Sequence, residues 1–323
     1  MIEEALSSEA TKKRAAAVIE PQSTVLVSGS TGMVGRTLLG RLSGLGRPTM
    51  ALARGRASKG EVLWDPAGNT IDSASLASSG ARAVVHLAGE NIAEGRWTAA
   101  KMDAIRTSRV RGTRLLAESL AGLESPPEVL VSASAIGFYG DSGDERLTES
   151  SAAGTGFLAE VCREWEQATE PARAAGIRVV NLRIGVVLSR DGGALAKMLL
   201  PFKLGLGGRL GSGDQFMSWI TLDDLVSVIC RALEDERLVG PVNATAPEPV
   251  SNRDYTRTLG RVLRRPTIAA MPAFAARAVF GRMADELLLG SQRVVPEKLL
   301  GTDFEFEHPR LEDALRDVLG ASR

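Results

Sequence analysis

The chain has 323 residues, 44% of them hydrophobic, which suits one large α/β domain with an appendage or two small domains. Its 39 Lys and Arg residues equal its 39 Asp and Glu residues. This balance gives no reason to expect nucleic acid or an anionic membrane as a partner. The two histidines, His86 and His308, offer little material for a zinc site or a Ser-His-Asp triad, so we predict no metal.

The sequence shows no sign of secretion or of membrane insertion. Residues 1–22 begin with acidic side chains and lack a continuous apolar stretch, which is not the pattern of a secretory signal. No apolar run approaches the length that spans a bilayer, and we predict a cytoplasmic protein. Cys162, Cys230 and His86 lie in apolar stretches, where reduced thiols and a neutral, hydrogen-bonded histidine are expected.

Short β-branched, apolar runs alternate with segments of helical periodicity along the first two thirds of the chain. The predicted strands are 24–29, 49–53, 83–89, 128–135 and 176–185, with two short strands around a turn at 66–69. The predicted helices include one after the first strand, 99–120 and 222–234. Alternation of this kind predicts an α/β fold with a mostly parallel, doubly wound sheet of the Rossmann type.

The regular alternation of strands and helices stops after about residue 193, and the later part of the chain is mainly helical. Ser251 and Asp254 are placed like a capping box, 304–306 is a predicted short strand and 310–319 a predicted last helix. Prolines between Pro241 and Pro249 mark a boundary. We therefore predict three parts, namely a tail at 1–22, a dinucleotide-binding domain at 23–240 and a helical module of unknown function at 241–323.

A glycine-rich turn follows the first predicted strand. Gly29, Gly32 and Gly35 have the spacing G-x-x-G-x-x-G between a strand and a helix, which is the context that a dinucleotide-binding motif requires. The first glycine permits the tight turn, the second lets the backbone approach a pyrophosphate, and the third lets helix and strand pack closely. Open N–H groups at the helix start then face the phosphates. The predicted contacts are Gly29, Ser30, Thr31, Gly32, Met33, Val34 and Gly35.

The end of the second predicted strand indicates which dinucleotide binds. Arg54, Arg56 and Lys59 follow this strand, and no acidic residue comes before Glu61. An NAD enzyme usually carries an acid here for the ribose 2′-hydroxyl, whereas a 2′-phosphate requires a cation. A guanidinium binds phosphate through charge-assisted, bidentate hydrogen bonds. We predict NADP as the cofactor in preference to NAD, the alternative being a basic, solvated loop.

Several motifs resemble those of the extended short-chain dehydrogenases/reductases of the NAD-dependent epimerase/dehydratase type. They are GSTGMVG at 29–35, HLAGENI at 86–92, SASAIGFYG at 132–140 and LRIGVVL at 182–188. The stretches GTGFLAEVCREWE, GSGDQFMSWITLDDL and FGRMADELLLGSQRVVPEKL resemble one subgroup, the "epimerase family" or cell-division-inhibitor-like proteins, whose C-terminal domain has no assigned function. The resemblance runs from about 24 to 319 and implies further cofactor contacts at Leu87, Ala88, Gly89, Ser132 and Ile184.

The same resemblance implies a catalytic set that this chain retains only in part. The serine that bonds the substrate matches Ser134, but the acid/base tyrosine falls at Leu158 and its lysine at Cys162. The asparagine of the set falls at Arg109. Residues from Phe157 to Ala168 form one apolar stripe at helical spacing, so we expect this helix to pack and to carry no proton relay.

Any proton-transfer residue must then come from elsewhere. Tyr139 follows the strand of Ser134 and lines the substrate cleft in the superfamily, the alternative being an aromatic that packs the turn. Glu90 follows a buried strand at the edge where ligands bind, although a salt-bridged glutamate is the commoner case. Arg109 is suited to an acidic substrate or a phosphate, or is a solvated charge.

Two functions remain open at this level. The first is an NADP-dependent oxidoreductase or epimerase with an altered proton relay, with Ser134, Tyr139 and Glu90 as the candidate catalytic residues. The second is a dinucleotide-binding sensor or partner-binding protein that performs no chemistry. The sequence does not specify the small-molecule substrate, and a monomer or a homodimer is expected.

Overall fold

The computed structural model describes residues 23–55, 58 and 60–321, so the predicted tail at 1–22 and Arg56 and Lys59 lie outside the described residues. The strands are β1 Val25–Ser28, β2 Thr49–Ala53, β3 Glu61–Asp65, β4 Thr70–Ile71, β5 Ala83–His86, β6 Val129–Ala135, β7 Arg146–Leu147, β8 Arg178–Ile184, β9 Val186–Leu188, β10 Phe216–Met217, β11 Trp219–Thr221, β12 Gly240–Ala244, β13 Val250–Ser251 and β14 Arg293–Val294.

The α-helices are Met33–Gly44, Ser73–Ser78, Ala99–Ala121, Phe157–Gln167, Glu170–Ala174, Gly193–Lys203, Leu222–Glu234, Asn252–Leu263, Ala273–Phe280, Glu297–Leu300 and Leu311–Leu319. A tight 3-10 turn, Ile136–Tyr139, and a wide π-type turn, Ala284–Leu289, complete the helical segments. In the part of the chain that the structure describes, no helix combines the length and the apolar character needed to cross a membrane.

Eight strands form one central sheet in the order β12-β8-β6-β5-β1-β2-β3-β4. All neighbours in it run parallel except β3 and β4, which form the antiparallel hairpin that the turn at 66–69 predicts. From β1 the chain builds β2 and β3 on one side, and it then crosses to β5 on the other side. The predicted doubly wound Rossmann-type sheet is confirmed, and its direction of strand addition reverses between β1 and β5.

The sheet is buried on both faces because its inner strands are continuous apolar runs. Val25 and Val27 point into one core with the helices Met33–Gly44 and Leu222–Glu234, whereas Leu26 points into the other with Ala99–Ala121. Each fully buried side chain of this size contributes about 1.5–3 kcal/mol of hydrophobic stabilisation. The two cores hold the carboxyl ends of the parallel strands in one row.

The structure departs from one predicted strand, and the last strand of its central sheet begins at the predicted domain boundary. β12 pairs with β8 in the central sheet, so the sheet continues past position 240. The strand predicted at 304–306 is wrong. The rings of Phe304 and Phe306 pack edge to face against each other and lie against the sheet core. The N–H groups of Glu307 and His308, which follow, donate to the carboxylate of Asp224 instead of to a neighbouring strand. Alternating aromatic residues here serve packing, not strand pairing.

A second, smaller core joins the later helices to the sheet domain. The helices Gly193–Lys203, Asn252–Leu263 and Leu311–Leu319 pack around Trp219 of β11. The predicted cap at Ser251 is present, because its hydroxyl accepts a hydrogen bond from the N–H of Asp254 at 3.1 Å. β14 pairs with β7, which ties the C-terminal segment to the loop after β6. The helical module therefore shares its core with residues between β9 and β11.

The contact of the first helix with β1 generates a stability prediction. A Cβ at Gly35 would lie 2.2 Å from the carbonyl oxygen of Gly29, so Gly35→Ala must push helix and strand apart. We expect a loss of about 1–3 kcal/mol in the free energy of unfolding. Gly40→Ala in the same helix is the matched control, because nothing lies within 4 Å of its Cβ position. It should be neutral or stabilise by up to about 1 kcal/mol. Equal urea midpoints for the two variants would contradict the tight contact.

The buried histidine of β5 predicts a pH dependence of stability. Burial lowers the pKa of His86 from 6.5 to about 4. Between these two values the unfolded chain binds a proton that the folded chain does not, so stability is lost as the pH falls through this window. Compared with His86→Gln, the wild type should lose about 2 kcal/mol more on going from about pH 7 to about pH 5. Parallel pH profiles in urea unfolding would show that His86 keeps an ordinary pKa.

Candidate active site

The glycine turn after β1 forms an open, narrow cradle. Gly29 has a positive φ of 68°, and a Cβ there would lie 2.9 Å from the backbone nitrogen of Ala88. Gly32 donates to the carbonyl of Gly29 at 3.0 Å and begins the helix Met33–Gly44 without any capping side chain. The first N–H groups of this helix are therefore left open at the carboxyl edge of the sheet. Such groups bind anions, because the N-terminus is the positive end of the helix dipole.

Ser28 joins the ends of β1 and β5. Its hydroxyl oxygen accepts hydrogen bonds from the N–H groups of Leu87 and Ala88 at 3.1 and 3.2 Å, and the hydroxyl shares a hydrogen bond of 2.7 Å with Nδ1 of His86. These bonds bring the loop Leu87, Ala88 and Gly89 beside the glycine turn. His86 is thus the neutral core histidine that the sequence predicts. The role of Ser28 was missed, because a serine at a strand end has no signal of its own.

The remaining predicted cofactor contacts lie along the same edge of the sheet. Ser132 of β6 is level with Ser28 and His86 across three neighbouring strands, and its side chain is fully buried. Ile184 ends β8. Arg54 follows β2, is exposed and has no ion pair among the residues described. The order of the strands therefore spreads these residues over the edge, with Arg54 at one end and Ser132 and Ile184 at the other.

A buried charged network occupies the space beside β6 and β8. Ser134 donates to Oε1 of Glu166 at 2.8 Å, and Arg183 binds both oxygens of that carboxylate at 2.8 and 2.9 Å. Arg183 also donates to the hydroxyl of Tyr139 at 2.9 Å, and this hydroxyl donates to Oδ1 of Asn243 at 2.7 Å. Glu166 and Arg183 have no signal in the sequence that marks them as site residues, because charged residues inside a helix and a strand resemble ordinary surface positions.

The network contains two of the predicted catalytic residues, Tyr139 and Ser134. Tyr139 is 1% exposed, and burial is the main reason why the pKa of its hydroxyl is raised. Its position favours the alternative of an aromatic that packs the turn. Ser134 is 2% exposed, and its hydroxyl proton is directed at Glu166. Both side chains hold the end of β6 in place.

Glu90, the third predicted catalytic residue, lies in a different environment. Its carboxylate forms an ion pair with Nζ of Lys101 at 2.5 Å, and the glutamate side chain is 41% exposed. Its N–H donates to Oγ of Ser108, and its carbonyl oxygen accepts a hydrogen bond from Arg109. Glu90 is therefore a fixed, solvent-accessible carboxylate at the edge of the sheet. Lys101 is a second titratable group there that the sequence analysis did not consider.

The helix that would carry the tyrosine and the lysine is packed, as its apolar stripe predicts. Leu158 is 8% exposed and contacts Trp97 and Ile105, while Cys162 is 3% exposed. Burial raises the pKa of the Cys162 thiol to about 12, so the thiol is neutral at physiological pH. Neither position can move a proton or supply a positive charge.

The C-terminal module holds the beginning of this helix. Gly156 cannot cap it, and the carboxylate of Glu286 accepts hydrogen bonds from the N–H groups of Phe157 and Leu158 at 2.9 and 3.1 Å. A cavity of about 250 Å³ lies beside this contact, with Gly137 and Leu158 on one wall and Arg277 and Glu286 on the other. The cavity opens next to Leu158, the position at which the tyrosine would fall.

Comparisons with known proteins agree with this arrangement. The sequence model of the NAD dependent epimerase/dehydratase family matches residues 25–244, and that of a domain of unknown function, DUF1731, matches residues 271–318. An epimerase family protein of Mycobacterium bovis is 42% identical over 292 residues, which is 90% of this chain and 96% of that protein. The chloroplastic SDR39U1 homologue of Arabidopsis thaliana is 41% identical over 308 residues, or 93% and 88% of the two chains.

A solved structure is similar over nearly the whole length. The crystal structure of human epimerase family protein SDR39U1 (isoform 2) with NADPH has a TM-score of 0.83 and 34% identity, covering 92% of this chain and 99% of that chain. The family resemblance predicted from the motifs is confirmed. The NADPH of the human structure agrees with the cofactor that Arg54 predicts.

The packed helix generates a prediction about restoring the superfamily pair. Leu158→Tyr enlarges a side chain whose Cβ lies 3.2 Å from the Cβ position of Gly137, and Cys162→Lys buries an ammonium close to Arg109. We expect the double variant to melt at a lower temperature and to gain no NADPH oxidation activity.

The matched control is Glu160→Tyr with Arg163→Lys, which places the same residue types on the exposed face of the same helix. This control should melt close to the wild type, because exposed substitutions usually change stability by less than about 0.5 kcal/mol. An unchanged melting temperature of the buried double variant together with new turnover of a carbonyl compound would refute the packing interpretation.

Proposed function

Because the chain belongs to the NAD dependent epimerase/dehydratase family, we propose that it is an NADPH-binding oxidoreductase or epimerase whose cofactor lies across the carboxyl ends of the central strands. The observation that carries this proposal is the open glycine cradle of Gly29, Gly32 and Gly35. It lies where the direction of strand addition reverses, and ligands of open α/β sheets bind at that point. The pyrophosphate would be held by the open N–H groups of this cradle.

The position of Arg54 supports NADPH over NADH. Arg54 follows β2, one strand from the cradle, on the side where the adenosine half would lie. No acidic side chain occurs between Arg54 and Glu61 that would compete for the guanidinium or repel a 2′-phosphate. A charge-assisted contact at this point therefore selects the phosphorylated cofactor.

Bound NADPH supplies a hydride, so the chain itself must supply or accept the proton. Of the three predicted catalytic residues, we assign this task to Glu90, because its carboxylate is accessible and lies at the ligand-binding edge. Lys101 holds the carboxylate in position through their ion pair. Ser134 and Tyr139 are assigned a supporting task, namely fixing the end of β6 through Glu166 and Arg183.

A non-catalytic sensor of the cofactor is the second candidate, and the packing of Leu158 and Cys162 favours it. The two functions differ in hydride transfer. Incubation with labelled NADPH and a panel of carbonyl compounds should lead to loss of label with at least one compound if the protein is an enzyme. Tight binding of NADPH without transfer to any compound would support the sensor. The substrate, the cytoplasmic location and a monomeric or dimeric state stay predictions of the sequence.

The cofactor assignment predicts a reversal of preference on changing one charge. Arg54→Asp removes a contact worth about 1.5–3 kcal/mol and places a carboxylate against the 2′-phosphate. NADPH affinity should fall by about tenfold or more, while NADH affinity is kept or rises. Arg111→Asp, which makes the same change of charge on an exposed helix position, should leave both affinities unchanged. Titration by cofactor fluorescence measures the affinities of the wild type and of both variants for NADPH and NADH. Equal affinity of the wild type for NADPH and NADH would contradict the assignment.

A further inference from the structure

Arg109 is a half-buried cation, and in the described part of the chain no carboxylate lies at ion-pair distance from it, although the charge of Glu90 acts on it through space. It lies on the helix Ala99–Ala121, and its Nη1 donates to the backbone carbonyls of Glu90 and Ile105 at 3.0 and 3.3 Å. Burial is the main reason why the pKa of its guanidinium is lowered. Buried charges in proteins are normally paired, because removing a charge from water is costly. Arg183, for comparison, binds both oxygens of Glu166.

The guanidinium has donors left over for a ligand. Arginine carries five N–H donors, and the two hydrogen bonds of Arg109 both start from Nη1. One face of the guanidinium lies over the ring of Trp165, with 5.0 Å between Cζ and the ring centroid. Gly89 also lies beside the guanidinium, and a Cβ at this glycine would be 3.3 Å from Cζ of Arg109. The side chain is thus held by carbonyls and an aromatic ring at the end of β5, and no carboxylate binds it directly among the described residues.

The order of the strands determines which part of a dinucleotide would reach Arg109. The glycine cradle follows β1, and Arg54 follows β2 on one side of it. β5 and β6 lie on the opposite side of β1. A cofactor whose pyrophosphate lies at the cradle and whose 2′-phosphate lies at Arg54 must therefore extend its nicotinamide half over the ends of β5 and β6. Gly89 and Arg109 stand at the first of these two ends.

We propose that Arg109 binds the nicotinamide half of NADPH, donating hydrogen bonds to the oxygen atoms of its ribose and carboxamide. The inference rests on the proposed function. It also accounts for the absence of a cation at position 162. The thiol of Cys162 lies close enough to Arg109 for the charge of the guanidinium to act on its pKa. The positive charge of the site comes from the neighbouring helix, and Gly89 leaves the room that the guanidinium needs.

The test compares two ligands that share the adenosine half of the cofactor. NADPH contains both halves, whereas 2′,5′-ADP contains the adenosine and its 2′-phosphate but no nicotinamide or second ribose. In Arg109→Met we expect NADPH to bind about ten- to hundredfold more weakly and 2′,5′-ADP to bind as in the wild type. Isothermal titration calorimetry gives both affinities. Arg106→Met, which removes an arginine one turn earlier on the same helix, should change neither.

A purely structural task for Arg109 would give a different pattern. In that case the two ligands would weaken together, or neither would change in a folded variant, and the inference would be overturned. Arg109→Gln provides a second variant, since its amide can still donate to the carbonyl of Glu90 and so support the fold without the charge. It should show the same difference between the ligands. If the wild type bound neither ligand, the proposed function would fail. If the wild type and both folded variants bound NADPH equally, only the inference about Arg109 would fail.

Discussion

The contact between the first helix and the first strand is the constraint on which the candidate site depends. Gly35 and Gly29 approach so closely that no side chain fits between them, and this holds the helix N-terminus at the end of β1 with its N–H groups open. Ser28, one residue earlier, ties the loop after β5 to the same point through two backbone N–H groups. A single short turn thereby places the phosphate cradle and the edge that carries Gly89 next to each other. Larger residues at the two glycines would separate the helix from the strand and close the cradle.

The packing of the helix Phe157–Gln167 is connected to the presence of the C-terminal module. Glu286 of the module caps the helix, and Met283 and Leu287 pack against the cluster that contains Leu158. A tyrosine hydroxyl at position 158 would have to be buried among these apolar side chains or would displace them. The apolar stripe therefore packs against the helix Ala99–Ala121 and the turn Ile136–Tyr139, and the module covers one end of it with Met283 and Leu287.

The sequence predicted those features that depend on local pattern. The alternating strands, the glycine turn and the packed helix each follow from residue spacing over fewer than about 20 positions. The pairs that complete the site join distant segments, such as Ser28 with His86 and Glu286 with Phe157, and no local pattern indicates them. At 304–306 alternation predicted a strand, but Asp224 takes the N–H groups that come next in the chain. A domain boundary was predicted at 240 because prolines follow, and Pro241 lies within β12, where it stands in register with Asn181 of β8.

Two arginines, Arg183 and Arg109, lie beside aromatic rings near the carboxyl ends of the strands but differ in their partners. Arg183 is surrounded by Glu166, the hydroxyl of Tyr139 and the ring of Phe138 at 3.4 Å, so its donors are used within the chain. Replacing such a charge leaves a buried carboxylate unpaired, which costs about 3–5 kcal/mol, and this network therefore serves the fold. Arg109 has a comparable aromatic neighbour, but its hydrogen bonds within the described residues go to backbone carbonyls, and the carboxylate of Glu90 acts on it only through space. In the proposed site, the donors that Arg109 has left over would take the place of a lysine on the helix Phe157–Gln167.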